Sequence, residues 1–127
     1  MIKGKLNETV IMDMIALRNE ATWYDFKEFW YEGSDKENTE LVRDILCLAN
    51  AYSENNRYLI FGIRDKPLEI VGLEPDSRYL QDNEIYQILA AKKFSCEKLP
   101  IIETYQLYID NKQLYVIEIK NMPVKPY

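Results

Sequence analysis

The sequence predicts a single α+β domain over residues 1–127, with a mixed central sheet, about three helices and a C-terminal β-hairpin. Three observations favour this fold class. Apolar residues recur at helical spacing in three segments, one continuous apolar run is typical of a buried strand, and two β-rich segments flank a two-residue turn. With 127 residues, of which 47% are hydrophobic, the chain fits one domain that can bury a core.

The first half of the chain contains two predicted helices and two predicted strands. Apolar spacing predicts a helix over 8–19, with Asn7 as its N-cap. Segment 22–31 alternates aromatic and polar residues, as a strand does. Residues 36–52 carry one apolar stripe and predict the most regular helix. The apolar run 58–63 is typical of a central strand, and we expect it to lie beside the aromatic strand.

The alternation of the aromatic strand assigns its side chains to two faces, because successive residues of a strand point to opposite sides. One face is predicted to carry Trp23, Asp25, Lys27 and Phe29, and the other Tyr24, Phe26, Glu28 and Trp30. Aromatic rings on a strand can stack nucleic-acid bases. Large rings on both faces are more often part of a core.

The second half predicts a third helix and the hairpin. Asp82 is suited to cap a helix that follows it. Segments 101–109 and 112–119 are rich in β-forming residues and flank Asp110 and Asn111, a turn that hairpins favour.

The predicted hairpin places two acidic residues opposite each other, Glu103 and Glu118. Like charges directly across a strand pair are unfavourable. We therefore expect these side chains either to spread apart into solvent or to form a weak cation site.

Composition excludes several functional classes. The net charge of −5 argues against a broadly basic nucleic-acid-binding surface, so such a role must rest on a local patch or on metal ions that offset the acids. The absence of histidine excludes Ser–His and Cys–His catalysis and His-ligated zinc.

Cys47 is predicted to be a structural thiol on the apolar side of its helix. No signal peptide or membrane-length apolar run is visible, which predicts a cytoplasmic protein without membrane contact.

Three acids and one lysine are placed where they can carry chemistry. Glu20 lies before the aromatic strand, Asp25 and Lys27 share one face of it, and Asp65 follows the buried run. If the two strands are neighbours, Asp25, Lys27 and Asp65 converge with Glu20 at the rim. Grouped carboxylates shift their pKa values or hold a hard cation such as Mg²⁺ or Mn²⁺, which can activate water against a phosphodiester. The alternative is a solvated ion pair on the strand with two ordinary polar turn residues.

Four basic residues surround this predicted cleft and are candidates for phosphate contacts: Lys27, Arg57, Arg64 and Lys66. An ordinary scatter of surface charge is the alternative, in view of the acidic total.

Two segments resemble the AlbA-like nucleic-acid-binding domain of the Schlafen group. Residues 20–27 (EATWYDFK) are similar to a signature in which an acid precedes an acid-Phe-Lys triplet, and residues 45–51 with 58–65 are similar to a helix ending in Ala-Asn followed by an apolar strand. Residues 70–73 fit the next segment, so that the resemblance covers roughly residues 15–126. The chain departs from the family at Asp25, where Glu is usual, and at Asn55-Asn56, where Gly-Gly is common.

The resemblance implies an α+β fold and a nucleic-acid-related role. Some members of the group are metal-dependent endoribonucleases that act on structured RNA such as tRNA through three acids. By position these acids are Glu20, Asp25 and Asp65 here, with Mg²⁺ or Mn²⁺ as the implied cofactor. No P-loop is present, so no nucleotide cofactor is expected.

The sequence leaves two other functional hypotheses open. One is a non-catalytic DNA- or RNA-binding module of a larger regulator, and the apolar, proline-containing end of the chain favours a cut through a longer protein. The other is a dimerisation or interaction domain without nucleic-acid contact, which the acidic charge permits.

Overall fold

The computed structural model describes residues 5–17, 23–30, 35–50, 56–64, 68–74, 80–92 and 100–120. Within these ranges the chain forms helices α1 (Glu8–Leu17), α2 (Asp35–Asn50) and α3 (Asp82–Lys92). The strands are β1 (Tyr24–Lys27), β2 (Arg57–Phe61), β3 (Ile63–Arg64), β4 (Glu69–Ile70), β5 (Ile102–Ile109) and β6 (Lys112–Ile119). The predicted α+β class is confirmed. None of the described helices combines the length and apolar character needed to cross a membrane.

Four strands form one mixed sheet in the order β1-β2-β6-β5. Strand β1 runs parallel to β2, with Tyr24 opposite Tyr58 and Lys27 opposite Phe61, while the β2–β6 and β6–β5 pairs are antiparallel. Every residue of β2 is buried. The prediction that the apolar run is a central strand beside the aromatic strand is therefore confirmed.

The two faces of the sheet support separate cores. On one face, the α2 stripe that includes Leu41 and Ile45 forms a buried cluster with Leu59 and Phe61, and α3 adds to it. On the other face, Ile11 of α1 belongs to a cluster that includes Tyr58 and Ile60. Full burial of one such aliphatic side chain contributes about 1.5–3 kcal/mol, so the faces of β2 determine where each helix packs. Asp25 and Lys27 are aligned with Leu59 and Phe61 and lie on the α2 side.

The first helix begins as predicted, because the Asn7 side chain caps it. The Asn7 Oδ1 atom accepts a hydrogen bond from the main-chain N–H of Val10 at 3.0 Å. The predicted end of this helix, at residues 18 and 19, lies outside the described residues.

The aromatic strand is shorter than predicted, and its alternation holds only over the four residues of β1. Trp30 was predicted to share a face with Tyr24, yet it packs into the α2-side core against Phe61. Trp23 instead contacts the rings of Tyr24 and Tyr58 on the α1 side. The bend after Lys27 ends the period-2 pattern before Trp30, and Trp23 lies in a turn that precedes β1, so neither ring follows the pattern.

The apolar run 58–63 is broken at Gly62, which differs from the continuous strand that was predicted. Gly62 adopts a φ of 106°, a backbone conformation that residues other than glycine rarely adopt. A Cβ atom there would lie 2.6 Å from Leu114 Cδ2 and 3.1 Å from the Gln113 carbonyl oxygen. The Gly62 carbonyl accepts hydrogen bonds from the N–H groups of Val71 and Gly72, both at 2.9 Å. The chain therefore leaves the main sheet at Gly62 and continues as β3 in a separate pair with β4.

The C-terminal hairpin matches the prediction closely. Asp110 and Asn111 have φ values of 51° and 63°, as a two-residue hairpin turn with left-handed central residues requires. The register places Glu103 directly opposite Glu118, as expected.

Lysine side chains contact both glutamates, and Glu103 is also partly exposed to solvent. Glu118 is fully buried, and Lys120 contacts its Oε2 while lying 3.1 Å from Glu103 Oε2. Tyr105 donates a hydrogen bond to Glu118 Oε1 at 3.2 Å, and Lys5 Nζ lies 3.4 Å from Glu103 Oε1. The hydrogen bond from Lys120 lowers the pKa of Glu103. Burial lowers the pKa of Lys120, but the two glutamates outweigh it and raise the value.

Helix α3 covers the first half of the free edge of β5. The N–H of Ile102 donates to the Tyr86 hydroxyl oxygen at 2.7 Å, and the N–H of Thr104 donates to Asp82 Oδ1 at 2.9 Å. Asp82 thus binds the sheet edge, while Glu84 accepts a hydrogen bond from the N–H of Gln81 just before the helix. Covering an edge in this way limits pairing with other chains.

Candidate functional site

The predicted pair of Asp25 and Lys27 forms a three-residue cluster with Asp44 of α2. Lys27 Nζ lies 3.2 Å from Asp25 Oδ2 and 3.5 Å from Asp44 Oδ2. The three residues meet because β1 presents Asp25 and Lys27 on the side of the sheet that α2 covers. We call these three residues the Lys27 cluster.

The electrostatics of the Lys27 cluster keep the lysine protonated. Burial is the largest single influence and lowers the pKa of Lys27, but Asp25 and Asp44 together raise it above its ordinary value. With both aspartates ionised, one positive charge faces two negative charges. The cluster therefore repels a phosphate unless a further cation offsets the excess charge.

Asp44 was not among the predicted site residues. It lies one residue before Ile45, at the margin of the apolar stripe of α2, and is half-buried. The available signal was an acid bordering a buried stripe, but only the packing of α2 on the sheet shows that it reaches Lys27.

Arg64 lies at the same end of the β1–β2 pair and bonds to two glutamates. Its Nε lies 3.4 Å from Glu28 Oε1, and its Nη1 lies 3.3 Å from Glu69 Oε2. These contacts connect β3 to the residue after β1 and to β4. A phosphate that binds Arg64 has to share it with these carboxylates.

Arg57 lies in a different environment from the one expected of a phosphate-binding residue. It is fully buried in β2 and alternates with Tyr58, on the same side as Leu59. Arg57 was a candidate for a phosphate contact because its sequence position is close to the predicted cleft. Burial of both faces of β2 instead places its guanidinium inside the protein.

Three predicted site residues, Glu20, Asp65 and Lys66, lie outside the described residues. The described residues next to them show only that β1 and β2 are paired, as expected. The N–H of Gly62 donates to the Lys27 carbonyl at 2.7 Å, and Arg64, which directly precedes Asp65 in sequence, reaches Glu28. The chain thus leaves β2 beside the C-terminal end of β1.

The described part of the chain contains no group of three or more residues of the types that commonly ligate metals. It does hold two carboxylates, Asp25 and Asp44, each within 3.5 Å of the same nitrogen atom. Oxygen donors of this kind suit Mg²⁺ and Mn²⁺. The donor chemistry fits the ions that the resemblance implies.

Comparison with known proteins places the chain in a family. A family model described as Schlafen, AlbA_2 matches residues 20–127. Among solved structures, the DIP2311 protein from Corynebacterium diphtheriae is similar, with a TM-score of 0.49 and 17% sequence identity over 89% of this chain and 22% of that chain. No curated protein showed significant similarity. Because the family model covers most of the sequence, including β1 and β2, the chain belongs to the Schlafen, AlbA_2 family.

Proposed function

We propose that this domain binds nucleic acid at the Lys27 cluster with the help of a divalent metal ion. The observation that carries the proposal is the position of Lys27 between Asp25 and Asp44, at the edge of a parallel strand pair. Membership of the Schlafen, AlbA_2 family supports a nucleic-acid-related role. The acidic net charge means that binding depends on this local arrangement rather than on the overall charge.

The excess negative charge of the cluster is the reason for the metal requirement. Asp25, together with Glu20 and Asp65, is the proposed ligand set for Mg²⁺ or Mn²⁺. When bound, such an ion would act as a Lewis acid towards the phosphate and lower the pKa of a bound water. Lys27 stabilises negative charge on the phosphate, and Asp44 acts as a positioning residue that holds the Lys27 ammonium group.

The finer proposal is metal-dependent cleavage of structured RNA such as tRNA. A tRNA cleavage assay with Mn²⁺ tests it, comparing the wild-type protein with Asp65→Asn, which removes one charge at nearly constant shape. Cleavage should fall by orders of magnitude in the variant, since a ligand of the metal is lost. Full cleavage by Asp65→Asn would contradict the proposed ligand set.

A non-catalytic binding module is the second candidate, and one observation favours it. Asp25 forms an ion pair with Lys27, and a carboxylate engaged by a lysine is a weaker metal ligand. Asp25 is also one methylene shorter than the Glu usual in the family. Metal-dependent binding without cleavage would support this candidate.

The binding test compares tRNA, single-stranded RNA and duplex DNA, each with and without Mn²⁺, by fluorescence anisotropy. Lys27→Ala removes the central charge of the cluster. Lys5→Ala is the matched control, because it removes the same charge beside Glu103, towards the other end of the sheet. We expect Mn²⁺ to strengthen binding by the wild-type protein and Lys27→Ala alone to weaken it. Equal affinities for all three proteins would refute the site.

A further inference from the structure

Phe29 is the most exposed of the large apolar side chains that the structure describes, at 75%. It lies two residues after Lys27, in the bend that follows β1. A phenylalanine ring in water forgoes the stabilisation that burial of its apolar surface gives. A ring in this position is therefore suited to contact a ligand.

The residues on both sides of Phe29 are held in place. Glu28 pairs with Arg64 at 3.4 Å. Trp30 packs edge-on against Phe61 and Tyr115, with ring centroids 4.6 Å and 5.0 Å away. These contacts restrain the bend on both sides of Phe29, which reduces the conformational entropy lost when the ring binds a ligand.

We propose that Phe29 stacks against an unpaired base of single-stranded nucleic acid whose phosphate lies at the Lys27 cluster. This inference rests on the proposed function and specifies the ligand further. An exposed aromatic ring two residues from Lys27, the proposed phosphate contact, matches the two parts of a nucleotide, a flat base and a charged phosphate. A base inside a duplex keeps its faces stacked on its neighbours, so an unpaired base is the partner that the ring selects.

Stacking also explains how an acidic domain can bind nucleic acid. With a net charge of −5, the protein gains no affinity from its overall field. Two described cations at this end of the sheet are shared with carboxylates, Lys27 with two aspartates and Arg64 with two glutamates. A base–aromatic contact adds affinity that does not depend on charge.

The test measures the affinity of the full chain for a short single-stranded RNA and for the same sequence as a duplex, in Mn²⁺. Phe29→Ala should weaken single-strand binding about 5- to 150-fold, the range for loss of one stacked base. Its slope of log affinity against log salt should equal that of the wild type, because no phosphate contact is removed. Phe29→Trp should bind as well as the wild type, and RNA should quench its added fluorescence.

Tyr108→Ala is the matched control. Tyr108 is also an exposed aromatic residue, at 63%, but it lies on β5 at the opposite edge of the sheet. Unchanged affinity of Phe29→Ala, or an equal loss in Tyr108→Ala, would overturn the inference while leaving the proposed function intact. A change of oligomeric state in Phe29→Ala without a change in RNA affinity would assign the ring to a protein interface instead. If the wild-type protein binds no nucleic acid, the proposed function fails together with the inference.

Discussion

Two glutamates that face each other across the hairpin should respond very differently to the same substitution. Glu118 is fully buried and contacts Lys120, Tyr105 and Asn56. Glu103 faces it from β5, but its side chain is 36% exposed. Replacement by Gln keeps the shape of each side chain and removes one charge. The pair therefore separates the effect of burial from the effect of charge alone.

The magnitudes follow from burial. Removing one partner of a buried ion pair costs about 3–5 kcal/mol. We expect Glu118→Gln to cost about 3 kcal/mol, at the lower end of that range, because Lys120 is 31% exposed and can be rehydrated. Glu103→Gln should cost less than about 1 kcal/mol, since exposed ion pairs contribute little.

Urea unfolding followed by tryptophan fluorescence measures both free energies of unfolding. With an m-value of about 1–3 kcal/mol/M, the unfolding midpoint of Glu118→Gln should fall by about 1–3 M. The midpoint of Glu103→Gln should shift far less. Equal losses in the two variants would refute the assignment of Glu118 to a buried polar network.

Three further predictions concern the rest of the fold. Gly62→Ala should lower the free energy of unfolding by more than about 1 kcal/mol, because φ is positive there and the new Cβ lies against Leu114; thermal unfolding checks this. Asp82→Ala should uncover the N–H of Thr104 on the β5 edge and increase self-association, measured by size-exclusion chromatography; a strictly monomeric variant would contradict the edge-covering role. The pKa of Glu103 is lowered in the folded protein. The ionised Glu103 side chain therefore contributes stability at pH values above 4.5, its ordinary pKa, and this contribution is lost as the pH falls through the folded-state pKa. Urea midpoints below that pH should therefore decline less steeply in Glu103→Gln than in the wild type.

The parts of the fold that local pattern controls could be predicted from the sequence. The apolar stripe of α2 and the apolar run of β2 are consequences of burial, which leaves a helical period in the first segment and a continuous apolar run in the second. Asp110 and Asn111 tolerate the left-handed conformations of the hairpin turn, so the register with Glu103 opposite Glu118 followed from the turn position.

The features that were mispredicted depend on contacts between distant residues. At the break, a Cβ atom on Gly62 would meet Leu114, and no local pattern contains this contact between distant residues. Cys47 is exposed, because the buried side of α2 is formed by Leu41, Ile45 and their helical neighbours and does not extend to it. Arg57 was a candidate for a phosphate contact, yet the packing on both sides of β2 buries it.

The candidate site was predicted in part. The alternation of β1 indicated that Asp25 and Lys27 share one face, and their 3.2 Å contact confirms it. Asp44 comes from a helix nearly twenty positions away, so its contact with Lys27 required the tertiary packing of α2. The convergence of Glu20 and Asp65 on Asp25 stays a prediction.

The salt dependence of RNA binding shows whether a phosphate binds at the Lys27 cluster. Affinity for single-stranded RNA is measured by fluorescence anisotropy at several salt concentrations, in Mn²⁺, for the wild type, Lys27→Ala and Lys5→Ala. If Lys27 contacts one phosphate, its removal should reduce the slope of log affinity against log salt by about 0.7, the value for single strands. Lys5→Ala, which removes the same charge beside Glu103, should keep the wild-type slope. Identical slopes for all three proteins would contradict phosphate binding at this cluster.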